Sequence, residues 1–125
     1  RRLGEEKIIW LTTVDAKDTP QPRPVWFHWD GETVLLFSQT QASKIRHITR
    51  NPRVALNFNT DSHGGSVGVL IGEAHVLQDD LPAGRIDAYI EKYKQDMQAQ
   101  GWTPEIIQAE YPVVILVTPQ TMRGF

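Results

Sequence analysis

One short stretch gathers most of the residues that could bind a charged ligand. Ser38, Gln39, Thr40 and Ser43 lead into Lys44, Arg46 and Arg50. The spacing of Ala42, Ile45 and Ile48–Thr49 predicts a helix here, capped by Thr40 or Ser43 and ended by Asn51-Pro52. A helix N-terminus presents unpaired N–H groups and a partial positive charge, so hydroxyl, amide and cation together suit a phosphate. The plainer reading is a solvated helix face that happens to carry a lysine.

The charge distribution favours the ligand. From Thr33 to Thr60 there is no Asp or Glu, while Lys44, Arg46, Arg50 and Arg53 supply four cations. The whole chain has a net charge of −2, so the remainder, with nine basic and fifteen acidic residues, is clearly acidic. A compact basic island on an acidic body points to a small anion. Nucleic acid would need a longer basic surface than a chain of pI 6.1 offers.

A second cluster lies just upstream, where Trp26, Phe27, Trp29 and Phe37 crowd two adjacent segments. Strand alternation puts Trp26 and His28 on one face and Phe27 and Trp29 on the other. One set packs a core, and the other is expected to be covered by a planar cofactor, a partner subunit or both.

Other chemistries find no support. Cysteine is absent, which excludes thiol catalysis, disulfides and Cys-based metal sites. His28, His47, His63 and His75 lack metal-ligand spacing, and none stands out as a haem ligand, so no metal site is expected. There is no G-x-S-x-G elbow, P-loop or G-x-G-x-x-G, and Asp79-Asp80 reads as a helix cap rather than a carboxylate pair. No residue is assigned a catalytic role; an enzyme of this kind relies on a cofactor.

The elements that must hold these residues follow from pattern. The 125 residues make one domain, 1–125. Strands are expected at Ile8–Val14, Val25–Trp29, Glu32–Ser38, Arg53–Asn59, Ser66–Gln78 and Val113–Thr118, the last followed by Pro119 and an irregular tail. Pro20, Pro22 and Pro24 place the second strand at an edge or bulge, and Asp30-Gly31 marks a tight hairpin. Gly68 and Gly72 suggest a bulge or sharp bend. A helix over about Gly84–Gln98 turns Ile86, Tyr89, Ile90, Tyr93 and Met97 inward, and Thr103-Pro104-Glu105 opens a short helical turn. Six short antiparallel strands, a short helix after the third and a longer one before the last, argue for a Greek-key barrel, mainly β with α. The apolar runs are too short to span a bilayer, and no charged-then-apolar leader precedes Ile8, so the default expectation is a cytoplasmic domain.

The run from Leu11 to Asn59 resembles the pyridoxamine 5′-phosphate oxidase-like split-barrel flavoproteins, and looks most like their coenzyme F-420-dependent branch. The resemblance rests on the Pro-x-Pro-Val-Trp-Phe strand, the Trp-Asp-Gly hairpin and the Phe-Ser strand end. Ser-Lys-x-Arg followed by Arg-Asn-Pro-Arg-Val adds to it, as do the later VLIGEAHVL strand and the Arg123-Gly124-Phe125 ending. It implies a split β-barrel homodimer with cofactors in grooves at the subunit interface. By position, Arg23, Pro24, Val25 and Trp26 would line the ring. Ser38, Gln39, Thr40 and Lys44, with Arg46, would hold the phosphate.

Members that use flavin mononucleotide (FMN) often carry adjacent Arg-Lys where this chain has Ser43-Lys44. A single lysine followed by Arg46 and Arg50 suits the longer polyanionic tail of the deazaflavin coenzyme F-420. The implied function is hydride transfer from reduced F-420 to a small organic substrate. The alternatives are an FMN-dependent oxidase or reductase and a non-catalytic flavin or deazaflavin carrier. The substrate pocket would draw on His63–Ser66, Trp102 and Arg123–Phe125.

Overall fold

The computed structural model describes residues 2–77 and 84–124. The chain runs α1 (Arg2–Glu5), β1 (Ile9–Val14), β2 (Pro20–Val25), β3 (His28–Trp29), β4 (Val34–Ser38), α2 (Ser43–Arg50), β5 (Arg53–Asn57), β6 (Val69–Leu77), α3 (Arg85–Ala99), α4 (Pro104–Glu110) and β7 (Val113–Arg123). All strand pairings are antiparallel, in the order β2-β1-β5-β6-β7-β4-β3. The result is a split β-barrel with seven strands where six were expected. The extra one arises because the expected Val25–Trp29 strand is divided: the proline segment itself pairs with β1, and only His28–Trp29 joins the hairpin.

The proline segment forms the sheet edge, as its composition requires. Pro20, Pro22 and Pro24 alternate, so their missing N–H groups fall on one side of the strand, and Gln21, Arg23 and Val25 keep theirs for β1. Such an edge also resists pairing with another strand. The Asp30-Gly31 hairpin forms as expected, pairing His28 with Leu35 and Trp29 with Val34. The Asp30 carboxylate accepts from the Glu32 and Thr33 amides at 2.8 and 2.7 Å, and its other oxygen meets buried Arg85 at 2.9 Å.

Two expectations about strand ends are corrected. The last strand does not stop at Thr118; it continues to Arg123 beside β6. The register shifts between Ile71 and Gly72, where Gly72 faces Pro119 and Ile71 faces Thr121. This bulge accommodates the proline without ending the strand. A Cβ on Gly72 would strike the Thr118 carbonyl oxygen, so glycine is required there. Gly68 lies before β6 rather than within it.

Two apolar clusters flank the sheet. Inside the barrel, Ile9, Leu11, Phe27, Val34, Leu36, Leu56 and Leu70 pack with Ile48 from α2. Outside it, Tyr89, Tyr93 and Met97 of α3 and Ile107 of α4 cover Leu35, with Phe37, Val114 and Leu116 beside them. Residues 34–38 therefore bury both faces, and Leu35 and Leu36 are each almost wholly enclosed. The expected helix face is observed, although Ile86 and Ile90 are only half-buried. Asp79-Asp80 lies outside the described residues.

α2 has a different cap from the one expected. Its N-cap is Ala42, which offers no side-chain acceptor, and Thr40 is exposed. Asn51 ends it as expected, donating its backbone N–H to the His47 carbonyl. α4 matches its signal: the Thr103 hydroxyl accepts from the Ile106 amide at 3.2 Å.

Candidate functional site

A cavity of about 360 Å³ opens between the proline edge and the two C-terminal helices. Its lining combines Pro24, Val25 and Trp26, Phe37 of β4 and Lys44 of α2 with Tyr89 of α3 and with Trp102, Ile107 and Tyr111. Pockets for small organic ligands commonly measure about 300–1,000 Å³ and combine apolar walls with a few placed polar groups. Here the walls are aromatic and the one lining cation is Lys44.

Trp26 is fixed by its neighbours. Its ring stacks on Tyr93 with centroids 4.3 Å apart and planes within 1° of parallel, and Trp102 tilts against it at 5.8 Å. The Tyr93 hydroxyl accepts from the Phe27 amide at 2.8 Å and lies 2.7 Å from the Lys7 carbonyl, to which it donates. The outward aromatic set therefore takes part of its cover from this chain's own α3, where a planar cofactor, a partner subunit or both were expected. Only part of Trp26 remains to line the cavity.

Lys44 is half-buried and has no hydrogen bond or ion pair among the described residues. Burial pulls its pKa below the usual lysine value, and the nearby positive charge of Arg23 pulls it further. A lysine placed in this way lacks a countercharge, which an anionic ligand would supply. Arg23 is exposed, its guanidinium 2.8 Å from the Pro22 carbonyl, and adds to the positive potential at the same rim.

The remaining candidates are dispersed. Ser38 is buried and donates to the Gln39 carbonyl at 3.1 Å, while Gln39 and Thr40 are exposed; none of the three lines the cavity. Arg46 is exposed and donates to the Ser43 hydroxyl at 3.2 Å. Arg50 donates to the Asp15 and Ala16 carbonyls at 2.9 and 3.2 Å, and Asp18 lies 3.8 Å from it. Arg46 and Arg50 thus share a face, as their spacing requires, but they border a separate groove with Lys17 and His47. Trp102 reaches the cavity as expected, whereas His63–Ser66 and Arg123 do not; Phe125 lies outside the described residues.

Tyr89 and Tyr111 are site residues that the sequence did not single out as such, whereas Phe37 belongs to the aromatic cluster it did mark. Tyr89 carried only a core signal, because its helical spacing with Tyr93 and Met97 is the same whether or not a cavity adjoins it. Among the described residues no cluster of acidic or histidine side chains could hold a metal ion. No described helix is long and apolar enough to cross a membrane.

Comparison with known proteins agrees with this architecture. The model of the pyridoxamine 5′-phosphate oxidase family matches residues 1–124. The chain belongs to that family. A curated relative, the pyridoxine/pyridoxamine 5′-phosphate oxidase of Edwardsiella ictaluri, is 26% identical over 102 residues, which are 81% of this chain and 45% of the relative. The chain thus spans about half the length of that oxidase. A solved F420 reductase is 25% identical with a TM-score of 0.72, covering 98% of this chain and 94% of the other. A haem storage protein from Vibrio cholerae, at 17% identity and a TM-score of 0.67 over 97% and 87% of the two chains, shares the fold alone. The family contains oxidoreductases that work with flavin-type cofactors.

Proposed function

We propose that this protein is an oxidoreductase that uses coenzyme F-420, passing a hydride between the deazaflavin and a small organic substrate. The observation that carries the reading is Lys44, an unpaired, half-buried cation on the wall of an aromatic cavity. A tricyclic ring suits the space beside Pro24–Trp26, and a phosphate would give Lys44 the countercharge it lacks. The likeness to an F420 reductase supports this choice of cofactor. When bound, the deazaflavin supplies the hydride chemistry. The chain's own residues bind, orient and exclude water: Lys44 and Arg23 hold negative charge, Trp26 sets the floor, and Trp102 and Tyr111 shield the far side.

Arg46 is the cation best placed to meet a charged tail beyond the phosphate, because its guanidinium is exposed one helical turn from the Ser43 side of α2. Arg50, already bonded to two carbonyls, serves the turn after β1. The functional unit in this reading is a homodimer, with the partner closing the open side of the cavity. FMN on the same wall is the competing reading, favoured by the oxidase relative. Titrating the purified protein with F-420 and with FMN tests the proposal: tighter binding of F-420 supports it, and tighter binding of FMN refutes it.

A further inference from the structure

Arg85 is the first residue of α3, and it is buried against the Asp30 hairpin. Its Nη1 donates to the Asp30 carboxylate at 2.9 Å and to the Thr33 hydroxyl at 3.1 Å. Nη2 donates to the His28 carbonyl and Nε to the His28 imidazole Nδ1, both at 3.3 Å. A cation in the first turn opposes the helix dipole, so these hairpin acceptors are what hold Arg85 in place. The bond from Nε also fixes the imidazole. A guanidinium only donates, so Nδ1 must keep its lone pair, and His28 is the neutral tautomer with its proton on Nε2.

We infer that His28 and Arg85 form a proton-operated latch between β3 and α3: a proton on Nδ1 of His28 ends the bond from Arg85 and loosens the first turn of α3. Tyr89 lies one turn further along the same face and lines the cavity, so the latch governs how firmly that part of the lining is held. The charges around His28 set the direction. Arg85 and Lys92 of α3 face it as cations and Asp30 of the turn as an anion, while Glu91 borders the same groove and α1 adds only Leu3 and Gly4 there. Burial lowers the His28 pKa from its ordinary value, and Arg85 and Lys92 lower it further against the opposing pull of Asp30. With a folded pKa below the unfolded 6.5, the latch contributes fully above that value and is lost as pH falls through the folded pKa. The effect on a bound cofactor rests on the proposed function; the latch itself does not.

Two measurements on the full chain test the latch. Imidazole nitrogen spectra of the wild-type protein at neutral pH should show His28 protonated on Nε2 alone, and a proton on Nδ1 there would overturn the inference. Hydrogen exchange then follows the amides from Ala88 to Lys92, corrected for intrinsic exchange. Their protection should fall roughly tenfold from pH 7.5 to pH 5, the effect of losing one hydrogen bond to a charged group. His28→Gln keeps an acceptor for Arg85 and does not titrate, so its protection should stay within about twofold over that range. A wild type whose protection ignores pH, or a variant that loses protection as the wild type does, would overturn the latch. Whichever of F-420 and FMN the protein binds should lose more affinity with acid in the wild type than in the variant. Equal losses would overturn the link to the cavity. If neither cofactor binds, the proposed function fails and the exchange contrast alone decides the latch.

Discussion

Trp26 and Tyr93 lie ring on ring, centroids 4.3 Å apart and planes within 1° of parallel, across the seam between the hairpin and α3. Tyr93 also bonds both the backbone N–H of Phe27 and the carbonyl of Lys7 through one hydroxyl. One side chain thus orients the floor of the cavity and joins α3 to two separate backbone segments.

Tyr93→Phe tests this role, since it keeps the ring and removes the hydroxyl. The buried Phe27 amide would lose its partner, at a cost of about 1–3 kcal/mol. Urea unfolding should show that loss with an unchanged m-value. A variant as stable as the wild type would mean that the Phe27 amide finds another acceptor.

Lys44 should respond oppositely in stability and in binding. Lys44→Met removes an unpaired, half-buried charge, so the apo-protein should be as stable as the wild type or more so. Cofactor affinity should fall about tenfold or more, as expected for loss of a charge-assisted bond to phosphate. The pH dependence follows from linkage. With a folded pKa below the unfolded 10.5, the unfolded state binds more protons between the two values, so stability gains from this group as pH rises through that window. Binding of an anion should weaken over the same window, because Lys44 loses the charge that attracts it. Calorimetry across that range checks the sign, and a pH-independent affinity would remove Lys44 from the site.

The basic face of α2 should divide in function. Arg46→Ala should narrow the difference in affinity between F-420 and FMN and leave stability within about 0.5 kcal/mol, as for an exposed side chain. Arg50→Ala should instead loosen the turn after β1, because its guanidinium bonds the Asp15 and Ala16 carbonyls. Hydrogen exchange in residues 15–19 would report that loosening. Equal effects of both variants on cofactor selectivity would mean that the two arginines act as one tail site.

Much of this arrangement was legible in the residues. Alternating prolines specified an edge strand, Asp30-Gly31 a hairpin, and Thr103-Pro104 a helix start, because each is a local steric or hydrogen-bonding signal. The departures are non-local. Pro119 reads as a strand end until Gly72 is seen opposite it, where the bulge absorbs the extra residue. The four-residue spacing of Arg46 and Arg50 correctly put them on one face, but nothing in α2 reveals that the turn after β1 lies against Arg50. Trp26 and Lys44 were found from pattern and family resemblance. The helical part of the lining was not, since Tyr89 becomes a cavity residue only when α3 docks on the hairpin.

Assembly gives a further check. A homodimer predicts a sedimenting mass of about twice 14.2 kDa at micromolar concentration. A monomer that retains full cofactor affinity would show that one chain completes the site alone.

The identity of the cofactor is decided by side-by-side equilibrium titration of the purified apo-protein with F-420 and FMN. F-420 should bind more tightly than FMN, and its affinity should fall more steeply with added salt because its longer tail makes more ionic contacts. Tight binding of FMN with weak binding of F-420 would contradict it.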